Sequence, residues 1–146
     1  MKKPTDILGL VNLLKQLSTD HYAIADFRHD VELNFDDVEN NYPLLFLEAE
    51  KQIIGNRNDN SNTYSIAIQL CDIPLDSNYY TQTEAKLQYI TNDIIHALTN
   101  MGVNMSDTNS LPFGDAQNDL VNVFRTEFTI VLGKSNTPMG NPFKSN

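Results

Sequence analysis

One cysteine and no tryptophan stand in the 146 residues of this chain. A single thiol excludes an internal disulfide, so nothing in the chain calls for an oxidising compartment. Cys71 lies inside an alternating segment, where it reads as a small buried hydrophobe and not as a nucleophile. Long apolar runs are missing as well. The longest, such as Pro43–Leu47, fall far short of the roughly 20 residues a membrane-spanning helix needs, so no membrane partner is expected. The opening MKKPTDILGL carries two lysines, but Asp6 and Asn12 interrupt the apolar stretch. It is expected to form an amphipathic helix and not a secretory leader. Basic charge is scarce: 10 Lys and Arg face 19 Asp and Glu, a net charge of −9. The basic residues are scattered singly apart from Lys2–Lys3, whereas proteins that grip nucleic acid cluster them against phosphates. Specific DNA or RNA binding is therefore not expected. An acidic surface does suit a protein that must not stick to DNA passing nearby.

What is present is a chain of ordinary globular composition, 40% hydrophobic and 20% charged, sized for one domain with one core. Its clearest element is Thr81–Gly102. Leu87, Ile90, Ile94, Leu98 and Met101 recur at spacings of three and four and form one apolar stripe. Thr81 with Glu84 reads as a capping box, and Gly102 as the left-handed residue that closes the last turn. On either side, Tyr64–Ile73 and Val121–Leu132 alternate as half-buried strands. In the first, Tyr64, Ile66, Ile68 and Leu70 share a face; the other face is small, mostly uncharged, and open to being covered too. In the second, Phe124, Phe128, Ile130 and Leu132 share a face. A one-striped helix between two such strands implies a sheet with the helix laid across it.

The remaining elements arrange themselves around that unit. Pro4–Thr5–Asp6 opens a helix through about Leu17, with Thr5 or Asp6 as cap. Ile7, Leu10, Val11, Leu14 and Leu17 form its buried stripe; Leu8 and Leu13 fall outside, as ordinary exposed leucines or contacts to a neighbouring subunit. Tyr22–Phe27 and Val31–Phe35 are short extended candidates, and Asp36, Asp37 and Glu39 lie in an acidic turn-rich loop. Tyr42–Ile54 is a further strand, with Leu45, Leu47 and Ala49 on one face. Gly55–Asn62 has no apolar residue and forms a long hairpin tip projecting from the body. Its residues Arg57, Asn58, Asp59 and Asn60 are candidate partner contacts. Met105–Asp119 reads as a loop with Leu111–Pro112–Phe113 as its apolar plug. The fold expected is α+β: a single domain over residues 1–132 with a mostly antiparallel sheet, a long hairpin, a central helix packed on the sheet and an N-terminal helix. Residues 133–146 hold two prolines and two glycines and read as an extended tail, with Met139 and Phe143 as its apolar anchors to a partner.

No motif declares a chemistry. His21, His29 and His96 lack the spacing of zinc ligands. The alternating Asn56, Asn58, Asp59, Asn60 and Asn62 faintly suggest calcium but lack an EF-hand's glycine and bidentate glutamate. Asp36, Asp37 and Glu39 have no partner histidine for acid–base work. GxSxG, GxGxxG and P-loop sequences are absent. No catalytic residue, cofactor or metal is assigned.

The order of elements resembles the tail-terminator and neck proteins of tailed bacteriophages, also called tail-completion or head–tail joining proteins. The residues carrying the resemblance are Tyr42–Pro43–Leu44–Leu45–Phe46–Leu47, the strand Tyr64–Asp72, the helix Glu84–Gly102 and the strand Val123–Leu132. The acidic stretch Asp36–Asn41 and the tail after Gly133 lie outside that pattern. The resemblance implies a non-enzymatic virion subunit, made in the host cytoplasm, that assembles as a hexameric or dodecameric ring at the head–tail junction. Such a ring ends the tail tube, joins it to neck or portal proteins, and lets DNA through its lumen without specific binding. Two other classes fit the residues: a small acidic cytosolic enzyme with dispersed carboxylates, and a monomeric adaptor taking a peptide along an exposed strand edge.

Overall fold

The computed structural model describes residues 2–30, 40–49, 52–114 and 121–133. In chain order the elements are α1 (Ile7–Asp20), β1 (Asp26–Asp30), β2 (Leu44–Glu48), β3 (Gln52–Asn56), β4 (Ser61–Asp72), a 3-10 turn (Ser77–Tyr79), α2 (Tyr80–Asn100), β5 (Asn104–Met105), β6 (Asn109–Gly114) and β7 (Asn122–Leu132). The two long strands β4 and β7 pair antiparallel from Asn62 opposite Leu132 to Asp72 opposite Asn122. They form the spine of a seven-stranded sheet ordered β1-β2-β4-β7-β5, with β3 also on β4 and β6 also on β7. Only β1 with β2 runs parallel among the described pairs. The fold is the expected α+β domain.

Both helices bury their stripes on one face of the sheet. Leu87, Ile90, Ile94 and Leu98 of α2 share a single core cluster with Tyr64, Ile66, Ile68 and Leu70 of β4 and with Phe124, Phe128, Ile130 and Leu132 of β7. The period of two on the strands and of 3.6 on the helix aim these residues at one another. Within α1, Asp6 is the N-cap, accepting the Gly9 N–H at 2.7 Å. The helix runs to Asp20, three residues beyond the expected Leu17. Its buried stripe also takes in Leu13, at 5% exposure, while Leu8 is 65% exposed. Leu13 sits three residues after Leu10 on a stripe wide enough to hold it, so it is a core residue and not a subunit contact. His21 closes α1 onto α2. Its Nε2 lies 2.8 Å from Asp93 Oδ2, and its Nδ1 accepts the Ala23 N–H at 3.1 Å.

α2 ends as expected. Gly102 has φ +77°, its N–H reaches Thr99 O at 2.9 Å, and the Val103 N–H reaches Leu98 O at 3.2 Å. These two bonds are a Schellman closure. Its start differs from the expected capping box. The 3-10 turn Ser77–Tyr79 feeds straight into helix at Tyr80 and the N-cap is Tyr79, without a side-chain cap bond. Thr81 is already helical there, and a capping residue has to be extended.

Three strand expectations are also corrected. The extended segment after α1 begins at Asp26, not Tyr22, and Val31–Phe35 together with Asp36, Asp37 and Glu39 lie outside the described residues. Tyr42–Ile54 is two strands: Leu47 pairs with Ile68 but Gln52 with Ser65, so five steps on one side answer three on the other. The register on β4 therefore shifts by two residues between the two strands. The stretch after Met105 is not all loop, because β5 and β6 edge β7. Leu111 in β6 is 65% exposed and plugs nothing.

Candidate functional site

The hairpin tip is shorter than Gly55–Asn62. The ladder reaches Asn56 opposite Ser61, leaving Arg57, Asn58, Asp59 and Asn60 as an exposed turn. Asn60 adopts φ 55°, a left-handed conformation that asparagine tolerates. Asp59 Oδ1 accepts the Ser61 hydroxyl at 2.6 Å and the Ser61 N–H at 3.2 Å. The Asn56 amide donates to Ser61 Oγ at 2.8 Å and to Thr63 Oγ1 at 3.2 Å. These bonds commit the turn's polar groups to its own shape, the plain-turn reading of the Asn-rich sequence. Among the described residues no group of three His, Cys, Asp or Glu is placed to hold a metal ion.

Nor does the tip stand clear of the body. Gly133, the residue after β7, has φ +96°, and a Cβ there would lie 3.3 Å from the Asn60 carbonyl oxygen and 3.5 Å from the Thr5 carbonyl oxygen. The left-handed φ favours glycine here, and a Cβ would press on the Asn60 carbonyl. Beside it lies a cavity of about 230 Å³ lined by Lys3, Thr5, Asp59, Ser61, Asn104 and Gly133, among others. The hairpin turn, the residues leading into α1 and the root of the C-terminal tail thus meet at one end of the sheet. Met139 and Phe143 of that tail lie outside the described residues.

The sheet face opposite the helices carries the second feature. One part of it is a small apolar cluster of Leu44, Cys71, Val121 and Val123. Burial, aided by the Asp72 charge, pushes the Cys71 thiol well above its ordinary value, so it is no nucleophile. Next to it lies an ionic cluster. Arg125 Nε donates to Glu48 Oε2 at 2.6 Å and its Nη2 to Glu48 Oε1 at 3.2 Å; Gln69 adds a bond to Glu48 Oε2 at 3.0 Å. The Arg125 Nη1 donates to Glu127 Oε1. Glu48 foremost, and Glu127 with it, hold the guanidinium protonated beyond its ordinary value. Beside them a groove of about 220 Å³ runs over Ala67, Ser65 and Thr129 toward Ser106.

Sequence reasoning missed this cluster, although it left a signal. Glu48 continues the alternation of Leu44 and Phe46, and Arg125 and Glu127 stand two apart on the same strand face. Opposite charges on one face of a sheet can meet even across an intervening strand, as these do over β4. The histidines form no site: His21 pairs with Asp93, His29 Nδ1 meets Leu47 O at 2.9 Å, and His96 is exposed.

No family model and no curated protein matches the chain. Among the described residues no helix is long and apolar enough to cross a membrane. What the geometry offers chemically is contact: a preformed turn, a tail root beside it, and a charged groove on a sheet face.

Proposed function

We propose that this chain is a structural virion protein of a tailed phage, forming a ring at the head–tail junction that ends the tail tube and joins it to neck or portal proteins. The observation that carries the reading is the close approach of Gly133 to Asn60. It roots the two segments assigned to partner contact, the hairpin turn and the tail, at one end of one rigid sheet. A subunit that must join a stacked assembly needs its contacts presented together on a fixed frame. The acidic charge supports passage of DNA through the ring without adhesion.

The enzyme alternative is weaker, because Glu48 is bound by Arg125 and Gln69 and offers a paired ion cluster instead of a poised acid and base. The adaptor alternative has one observation in its favour. β3 exposes Ile53 and Ile54 at 54% and 51%, and among the described residues its outer edge pairs with no strand. Such an edge is a template for an added strand.

Electron microscopy and peptide binding on the purified full chain separate the ring from the adaptor. Closed rings of uniform diameter support the virion reading. Monomers that bind extended peptides with the Ile53–Ile54 edge protected support the adaptor instead.

A further inference from the structure

We infer that Arg57 of one copy seats in the Glu127 groove of the next, making the turn and the groove the two halves of a head-to-tail contact. The inference deepens the ring reading above and rests on it. It begins with an imbalance in the ionic cluster. Arg125 gives two nitrogens to Glu48 and one to Glu127. The Glu127 side chain is 55% exposed and lines the groove, and Arg125 gives it a single nitrogen. One guanidinium shared by two carboxylates leaves Glu127 under-neutralised, and the groove therefore favours a cation.

Among the described residues, Arg57 is the cation best presented for it. Arg28, Lys86 and Arg125 already stand in ion pairs with Asp26, Asp72 and Glu48. Lys15 lies on the exposed flank of α1, and Lys3 lines the cavity beside Asp59. Arg57 opens an exposed turn whose shape is held by the Asp59–Ser61 bond and the left-handed Asn60. A planar guanidinium also suits a carboxylate better than an ammonium does.

Within one chain the two cannot meet. Ser61, where the turn ends, and Ala67, which faces Glu127 across the ladder, are six residues apart on β4. That is about 20 Å of strand, beyond the reach of an arginine side chain. The contact has to be made between copies. Made head to tail, with each copy's turn in the next copy's groove, the contact is heterologous, the type that forms a ring when the rotation between copies closes. The groove, at about 220 Å³, far exceeds the roughly 10–15 Å³ that one water needs, and so admits one long side chain.

Charge reversal tests this on the full chain, read by native mass and melting temperature. Arg57→Glu, an exposed change that leaves the fold intact, is expected to shift the assembly to monomers, and Glu127→Gln to weaken it. The pair Arg57→Glu with Glu127→Lys is expected to restore it. Rings unchanged by Arg57→Glu overturn the contact while the ring reading stands. Loss of rings with Lys2→Glu and Lys3→Glu, but not with Arg57→Glu, assigns the groove to the N-terminus and also overturns it. A wild-type chain that is monomeric at every concentration overturns contact and ring together.

Discussion

Glu48 and Arg125 sit on strands that do not touch: β2 and β7 flank β4 on opposite sides, and the Arg125 Nε nevertheless comes within 2.6 Å of Glu48 Oε2. The pair spans the middle strand over Gln69, which lies opposite Arg125 in the ladder and donates to the same carboxylate. Glu48 is only 7% exposed, so its charge depends on this arrangement.

Arg125→Ala strands that carboxylate. We expect a loss of roughly 3–5 kcal/mol in denaturant unfolding, the cost of removing one partner from a buried pair. Replacing both, as Glu48→Leu with Arg125→Met, is expected to recover most of it. A single variant as stable as wild type contradicts the buried-pair account.

The core face is tested by three truncations. Ile94→Ala, at 2% exposure, and Leu13→Ala, at 5%, are each expected to cost on the order of 2–5 kcal/mol. Leu8→Ala, at 65% exposure, is expected to fall within about 0.5 kcal/mol of wild type. Equal effects at Leu8 and Leu13 contradict the described orientation of α1.

Much of this fold was legible because its main elements keep one period throughout. The β4 and β7 alternations and the α2 stripe aim most of their apolar residues at the core, while Cys71 and Val123 join the small cluster on the other face. The register shift between β2 and β3 was hidden for a geometric reason. A slip of two residues preserves the strand's face parity, so Leu45, Leu47 and Ile53 keep one alternation across it. At β5–β6 the slip is odd: Met105 faces Ile130, but Asn109 faces Glu127 on the other side. The Ser106 hydroxyl takes the Thr129 N–H at 2.8 Å where the faces switch. A pattern that reverses within five residues reads as loop. The hairpin turn was visible as polarity alone, and its closeness to Gly133 belongs to tertiary structure. The ionic cluster needed strand order, which no single sequence supplies.

Two glycines separate backbone strain from contact. Gly102 has φ +77°, and a Cβ added there would meet no atom within 4 Å. Its change to Ala therefore costs only the left-handed conformation, about 1–2 kcal/mol. Gly133→Ala meets the Asn60 carbonyl as well, so a larger drop in melting temperature is expected. Equal drops contradict the close approach.

Cys71 gives a pH dependence with a definite sign. Its folded pKa is raised from the ordinary 9.0, so the neutral thiol's contribution is complete below pH 9.0. Above that the unfolded chain releases the proton more readily, and stability falls as pH rises. Cys71→Ala is expected to flatten the alkaline limb of a melting-temperature profile. Thiol labelling in the native state is expected to be slow. Fast native labelling contradicts the buried position.

The most direct test of the central claim is the native mass of the full-length chain in solution across a concentration series. The account expects one discrete species at the mass of a closed ring, hexamer or dodecamer, that shifts to monomer when Arg57 is changed to Glu. A monomer at all concentrations contradicts it.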